Sequence, residues 1–393
     1  MFAQWIEGAT ALLAVAGVVY MALALWSARS FARTLRRSST PDASFAPGVT
    51  ILKPVKGVDP RMYAGFVSHC RQSYAGSYEL LFGVSSADDP AVAEIERLIA
   101  EFPEVAIRLV ICSQRLGTSG KVSNLVQMLP EARYDYVLVN DSDILVSPSY
   151  LARVMQGFAT PDPRGKGRAV GMVTAPYIGR TSDRPSVWSR LEALGISTDF
   201  MPGVLTARQL EGGIRFGLGS TLAMSREALA AAGGLEPLVE ALADDYELGA
   251  RIAAAGYRVE LAPEVVETTV PDYDLRGFVD HQMRWARSTR DSRKLGYIGL
   301  GVTYCVPWAA ACCLASGFVF ESFTLLTLAL LARVAVALAV GVGILGDRQV
   351  MRDLLLLPLR DLFGLFFWAW SYAGDTVVWR GERFHLRNGR LYR

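Results

Sequence analysis

Nothing limits the folding of this chain as strongly as a stretch without charge, Ala9 to Trp26. Its about 18 apolar residues match a helix that crosses the hydrocarbon layer of a bilayer. A secretory signal would carry its basic residues ahead of the apolar run. Here Glu7 precedes the run, and Arg29, Arg33, Arg36 and Arg37 follow it. By the positive-inside rule the chain beyond Trp26 then lies in the cytoplasm.

Further apolar stretches lie near the other end. Ile298 to Phe320 is free of charge, and Ser322 to Leu345 contains only Arg333, so two more spans are expected, with Arg333 paired inside the bundle or placed in half of a hairpin. Leu354 to Gly374 is interrupted by Pro358, Arg360 and Asp361, which makes insertion costly and suggests an interfacial or re-entrant segment. The tail beyond it, with Arg380, Arg383, Arg387, Arg390 and Arg393, suits an anionic inner leaflet. These readings divide the chain into an anchor at 1–37, a cytoplasmic domain at 38–297 and a membrane region at 298–393.

A net charge of +2 over 393 residues, with no block of like charges, gives no reason to expect a nucleic-acid partner. Five cysteines without a CxxC spacing argue against a disulfide framework, and Cys305, Cys312 and Cys313 sit in an apolar run as small hydrophobes. His69, His281 and His385 are too scattered to suggest a histidine-built zinc site.

Ser38 to Gly48, rich in Ser, Pro and Gly, reads as a linker into the soluble part. Short apolar runs then alternate with longer amphipathic ones. The pairs are Val49–Leu52 with Pro60–Tyr74, Tyr78–Val84 with Pro90–Phe102, Val105–Ile111 with Lys121–Leu129, and Tyr136–Val139 with Pro148–Phe158. Strand and helix in alternation predict an α/β domain with a parallel sheet covered on both faces. Ligands of such sheets bind beyond the carboxyl ends of the strands.

Those ends are polar here: Lys53 to Gly57, Asp88-Asp89-Pro90, Gly117 to Lys121, and Asn140 to Asp143. Carboxylates mixed with lysines suit a metal-bound diphosphate. Asp141 and Asp143, two apart on extended backbone, aim to one side and can share a hard cation, Mg2+ or Mn2+; they can equally form a solvated turn that caps the next helix. Asp88-Asp89-Pro90 has a capping reading too. Asp244 and Asp245 open an amphipathic helix, where acids suit the macrodipole and one of them can serve as a general base. His281-Gln-Met-Arg284-Trp285 stands just before the membrane stretches, where Trp285 is an interfacial anchor or part of a site.

Together and in this order, Ile51 to Gly57, Asp88-Asp89-Pro90, Gly117 to Leu125, Asp141-Ser142-Asp143, Asp244-Asp245-Tyr246 and Arg284-Trp285 resemble the GT-A glycosyltransferases of the ceramide glucosyltransferase family, and bacterial hopanoid-biosynthesis glycosyltransferases closer still. The resemblance spans about Gly48 to Arg290. It implies a Rossmann-like GT-A domain flanked by transmembrane helices at both ends, in a bacterial inner membrane with the catalytic domain in the cytoplasm. It implies a UDP-sugar donor, a lipid acceptor such as a ceramide or a hopanoid polyol, and inversion at the anomeric carbon. Asp88 and Asp89 would lie at the uridine, Asp141 and Asp143 at the metal, and Asp245 would be the base. Lys53, Lys121, Asp141, Asp244, Arg284 and Trp285 would bind the nucleotide sugar. His281 departs from the Gln or Arg usual at its place in the (Q/R)xxRW motif. Two rivals remain: a processive polysaccharide synthase, which needs more spans after Trp285, and a non-catalytic membrane binding or transport protein, which needs fewer charges at the strand ends.

Overall fold

A computed structural model describes residues 2–37, 45–162, 165, 167–379 and 382–392. Most of the expected linker, Ser38 to Ser44, and the tail residues Arg380 and Arg393 lie outside them.

The chain begins with α1 (Phe2–Arg37) and enters an α/β unit: β1 (Val49–Pro54), α2 (Met62–Cys70), β2 (Tyr78–Val84), α3 (Ala91–Glu101), β3 (Ala106–Ile111), α4 (Gly120–Met128), β4 (Tyr136–Val139) and α5 (Tyr150–Gln156). After β5 (Val170–Thr174) and β6 (Tyr177–Arg180) it rises into α6 (Val187–Gly195), a π-helical segment (Ile196–Phe200) and α7 (Met201–Glu211). It returns through β7 (Leu222–Ser225), α8 (Arg226–Ala231), α9 (Asp244–Ala254), β8 (Arg258–Leu261) and β9 (Val266–Thr269). Then follow α10 (Leu275–Ser292), α11 (Lys294–Thr303), α12 (Cys305–Ser316), α13 (Phe320–Val336), α14 (Gln349–Asp353) and α15 (Leu357–Trp370). Three short strands, β10 (Thr376–Trp379), β11 (Glu382–Arg387) and β12 (Arg390–Tyr392), come last.

The main sheet has the order β3-β2-β1-β4-β7-β5-β8. Strands β1 to β4 pair in parallel, so the loops after β1, β2 and β4 leave one rim. The expectation of a wholly parallel sheet needs one correction: β7 runs antiparallel to both β4 and β5. It is reached from the α6–α7 excursion, so the chain re-enters the sheet from the opposite end. Apart from the edge strand β3, the strands are nearly continuous buried runs, Ile51, Leu52, Leu80 to Phe82, Leu138 and Met172 all being fully enclosed, as expected for strands covered on both faces.

Three helical stretches, Gln4–Arg36, Phe320–Val342 and Gln349–Ala373, are long and apolar enough to cross a membrane; a fourth would join α11 and α12, which meet at 53°. The break falls at Tyr304. Pro307 lacks an N–H and its ring crowds the carbonyl of Thr303, so the helix cannot run straight through. The anchor α1 packs along α12, α13 and α7. Gly17 makes this close, since a Cβ there would stand 2.7 Å from Cβ of Cys305.

The interrupted stretch at Leu354 to Gly374, expected to be interfacial or re-entrant, lies within one of these three helical stretches, and its charges turn inward. Arg360 Nε lies 2.8 Å from Asp199, and Asp361 is 2.8 Å from Nε of the buried Arg333, which also contacts Asp199 and donates to the Thr198 carbonyl. Pairing within the bundle replaces the water these groups would otherwise require. The five cysteines are free and buried.

The three last strands form a separate sheet that docks on the α/β unit. Leu242 joins Val377, Phe384, Leu386 and Leu391 in a small apolar cluster. Backbone bonds from Leu242 N to Gly389 O (3.0 Å) and from Leu391 N to Glu240 O (2.9 Å) stitch the two together.

Candidate active site

Four segments converge at the rim. The N-terminus of α4 begins at Ser119, whose hydroxyl caps the helix by accepting from Val122 N. This start aims Lys121 across the rim. Its ammonium is 2.7 Å from Asp141 Oδ1 and 3.6 Å from Asp244 Oδ2, which ties the end of β4 to the start of α9. Burial works against the charge on Lys121, but Asp141 and Asp244 more than offset it and hold the ammonium protonated.

Asp245 is the next residue along α9. Burial and the neighbouring Asp244 push its carboxyl up to about 6, against the pull of Lys121. The loop from Gly217 to Thr221 passes directly over it: Gly217 N donates to the Asp245 carbonyl at 3.2 Å, and a Cβ on Gly219 would sit 3.0 Å from Asp245 Oδ2. Only a residue without a side chain leaves that carboxylate open.

Asp141 is the more exposed of the DxD carboxylates. Asp143 is drawn inward, its Oδ2 accepting from Thr268 Oγ1 and Thr269 N, each at 2.7 Å, and burial raises its pKa. Among the described residues no group of three or more His, Cys, Asp or Glu side chains gathers as a metal cage. Two hard carboxylates still fit a small divalent cation whose remaining ligands are phosphate oxygens and water.

Lys53 lies beneath this turn rather than on the rim. It is fully enclosed, donates to the Asp141 carbonyl at 3.2 Å, and burial pulls its pKa down to about 7 against the attraction of Asp143 and Asp141. Asp89 has a structural task as well. Its Oδ1 accepts from Gly57 N and Ala91 N, each at 2.9 Å, so it caps α3 and ties down the loop after β1, where Gly57 has a φ of 70°. Asp88 beside it is exposed.

A buried network under the rim has no signature in the sequence. Asn140 donates to the Ser220 carbonyl at 2.6 Å and to Tyr150 Oη at 3.0 Å, and its Oδ1 meets His69 Nε2 at 3.0 Å. Burial and Lys53 drive the His69 pKa well below its usual value, so the ring is a neutral donor. The only early signal is Asn140 itself, a polar residue closing an apolar strand.

Arg284 and Trp285 stand on α10. The Trp285 ring lies 5.6 Å from that of Phe200 in the π-helical segment and 5.6 Å from His281, and Phe200 in turn meets Tyr177 at 5.5 Å. This aromatic row leads from the membrane helices toward the rim.

Asp141, Asp244 and Asp245 thus come together with Lys121 at the rim. The sequence profile of glycosyl transferase family 21 matches residues 9–392. Ceramide glucosyltransferase 3 of Caenorhabditis elegans is 26% identical over 282 residues, 71% of this chain and 59% of that protein. Ceramide glucosyltransferase of Komagataella phaffii is 29% identical over 185 residues, 42% of this chain and 36% of that protein. The chain spans little more than half the length of the first curated relatives it matches, 59% and 52%. A mannosyltransferase from Pyrobaculum calidifontis, solved with GDP-Man and Mn2+, superposes with a TM-score of 0.49 at 19% identity, covering 92% of this chain and 97% of that one. A match from the first membrane helix to the last strand, over the segments that build the rim, makes this chain a member of glycosyl transferase family 21.

Proposed function

We propose that this protein transfers a sugar from a UDP-sugar to the hydroxyl of a lipid, with inversion, at the cytoplasmic face of a bacterial inner membrane. The observation that carries this is the ion-paired cluster of Lys121, Asp141 and Asp244 with the half-buried Asp245 beside it. A carboxylate whose pKa is raised toward neutrality is suited to remove a proton from an alcohol as it attacks. The basic residues Arg29, Arg33, Arg36 and Arg37 in the last turns of α1, and Trp285 on α10 just ahead of the hydrophobic helices, support a lipid acceptor met from the cytoplasmic side. The curated relatives, named as ceramide glucosyltransferases, support the same class of acceptor.

In this reading the donor diphosphate lies over the Asp141–Asp143 turn, with Lys121 as its nearest cation. A divalent metal held there by Asp141 and Asp143 would neutralise the leaving group. Asp245 takes the acceptor proton, and the alcohol oxygen attacks the anomeric carbon on the face opposite the diphosphate. Asp88 and Asp89 serve the uridine, and Arg284 and Trp285 serve the meeting of donor and acceptor. Lys53 supports the turn from below.

Membranes carrying the full chain are to be incubated with labelled UDP-glucose or UDP-N-acetylglucosamine, offering ceramide or a hopanoid polyol in turn, with and without a chelator. A metal-dependent glycolipid of inverted configuration is expected, and Asp245→Asn should lower the rate by about 10²–10⁴-fold, the usual worth of a positioned base. Retention of configuration, or full turnover by Asp245→Asn, would refute the assignment.

A further inference from the structure

The basic tail folds into a sheet with two unlike faces. Phe384, Leu386 and Leu391 are buried in one cluster with Leu242. The residues that alternate with them, Arg383, His385, Arg387, Arg390 and Tyr392, are exposed, and the period of two along a strand sets them together on the opposite face. The antiparallel register places Arg387 directly across from Arg390, and His385 across from Tyr392. The acids nearby are engaged elsewhere: Asp375 meets His385 at 3.3 Å, Asp291 pairs with Arg290 at 3.1 Å and accepts from Gly389 N at 3.2 Å, and Glu240 accepts from Thr118 N. Like charges directly opposite weaken a sheet. Anionic groups laid over such a face turn that repulsion into attraction.

This sheet starts where a membrane helix ends. Only Gly374 and Asp375 separate the apolar helical stretch Gln349–Ala373 from β10 at Thr376, a reach of about 10 Å at most. The headgroup layer itself is roughly 5–8 Å deep on each side of the hydrocarbon. Arg287 and Arg290 on α10 donate to the Thr376 and Gly374 carbonyls and hold the sheet close to the helix end. Beside it a cavity of about 290 Å³ is lined by Arg290, Asp291, Lys294, Ile298 and Tyr372. It mixes two cations with apolar surface, as the border between headgroups and acyl chains requires. Tyr372 and Tyr392 are both exposed, and tyrosine is favoured at that level.

We propose that the outward face of β10 to β12 docks on anionic lipid headgroups through Arg383, Arg387 and Arg390, and that this contact steadies the approach to the charged cluster at the rim. The path runs through the backbone. Leu242 N donates to Gly389 O at 3.0 Å and Leu391 N to Glu240 O at 2.9 Å, and Leu242 and Ala243 lead directly into Asp244. A sheet held on an anionic surface opens less often, and so do the bonds it makes to this loop.

The test follows amide hydrogen exchange of the full chain in nanodiscs of phosphatidylcholine alone and in discs that also hold phosphatidylglycerol. An arginine at an anionic surface is worth about fivefold, so exchange at Leu242, Leu386 and Leu391 should be about tenfold or more slower in the anionic discs. Raising the salt from about 0.1 M to about 1 M shortens the Debye length from roughly 10 Å to roughly 3 Å and should erase the difference. With Arg383→Gln, Arg387→Gln and Arg390→Gln combined, exchange in anionic discs should match that in neutral ones. Wild-type exchange of this variant in neutral discs shows that it folds; if it does not fold, wild type in the two lipids and two salts decides alone. Exchange equal within about twofold in both lipids, or a difference that persists at high salt, overturns the docking face. Slowing by millimolar inorganic phosphate in neutral discs would make the face an ion site and equally overturn it. Protection of Leu386 without Leu242 and Leu391 overturns the coupling to the loop.

Discussion

Asp245 and Lys121 carry opposite tendencies that one experiment can read. The Asp245 carboxyl is lifted to about 6 by burial and Asp244, while Lys121 pulls it down. A general base works only when deprotonated, so kcat/KM should be flat above neutrality and fall as pH drops through about 6, tenfold per unit below it. Removing the cation in Lys121→Met raises the Asp245 pKa, so the acid limb of the profile should shift to higher pH along with the loss in rate. A limb that stays in place would separate Lys121 from the base. Single residues were unevenly legible in the sequence. Asp141, Asp244 and Lys121 announced themselves as charges at strand ends and helix starts. Asn140 did so only as a polar residue closing an apolar strand, and His69 and Tyr150 did not, because buried hydrogen bonds join positions with no periodic relation, and each type is ordinary in a core. Lys53 was legible as a cation but not as one enclosed beneath the turn, since burial depends on the Phe66 and Asp143 environment that only the fold assembles.

At the scale of elements, the first four strands and their helices followed directly from apolar runs alternating with amphipathic ones, and β2 spans Tyr78–Val84 as expected. The reversal of β7 was not readable: a four-residue apolar strand has the same pattern in either direction. Hydropathy located the membrane helices but not the 53° bend before α12, which is a local effect of Pro307. The crossing of α1 with α12 depends on small residues. Ala14, Ala24 and Ala28 are buried along α1, and Gly17 lies against Cys305 and the Val302 carbonyl. In lipid, close backbone approach supplies packing that the hydrophobic effect cannot. Gly17→Leu must push these helices apart, and a destabilisation of about 1–3 kcal/mol is expected. Thermal unfolding in detergent measures it; an unchanged midpoint would mean that the two helices do not meet as described.

Across the whole molecule, the seam of charges couples the membrane helices to the domain. Arg333 on α13 contacts Asp361 on α15 and Asp199 in the π-helical segment, while Arg360 reaches both Asp199 and Gln282 on α10. Removing one member strands a buried charge. Arg333→Met should therefore cost about 3–5 kcal/mol, and adding Asp361→Leu should restore part of it, since a well-packed apolar pair can replace an ionic one. Additive losses in this double-mutant cycle would argue against direct pairing.

The docked sheet at the chain's far end has a consequence for assembly. The loop it braces, Glu236 to Leu242, also holds the α4 start through Ser119 N to Val239 O (2.9 Å) and Thr118 N to Glu240 Oε2 (3.2 Å), and it leads straight into Asp244 and Asp245. The strands that stitch it down, β10 to β12, follow α15 in the chain and so are translated after it. A nascent chain therefore carries its charged cluster on an unbraced loop until the segment beyond α15 has been made.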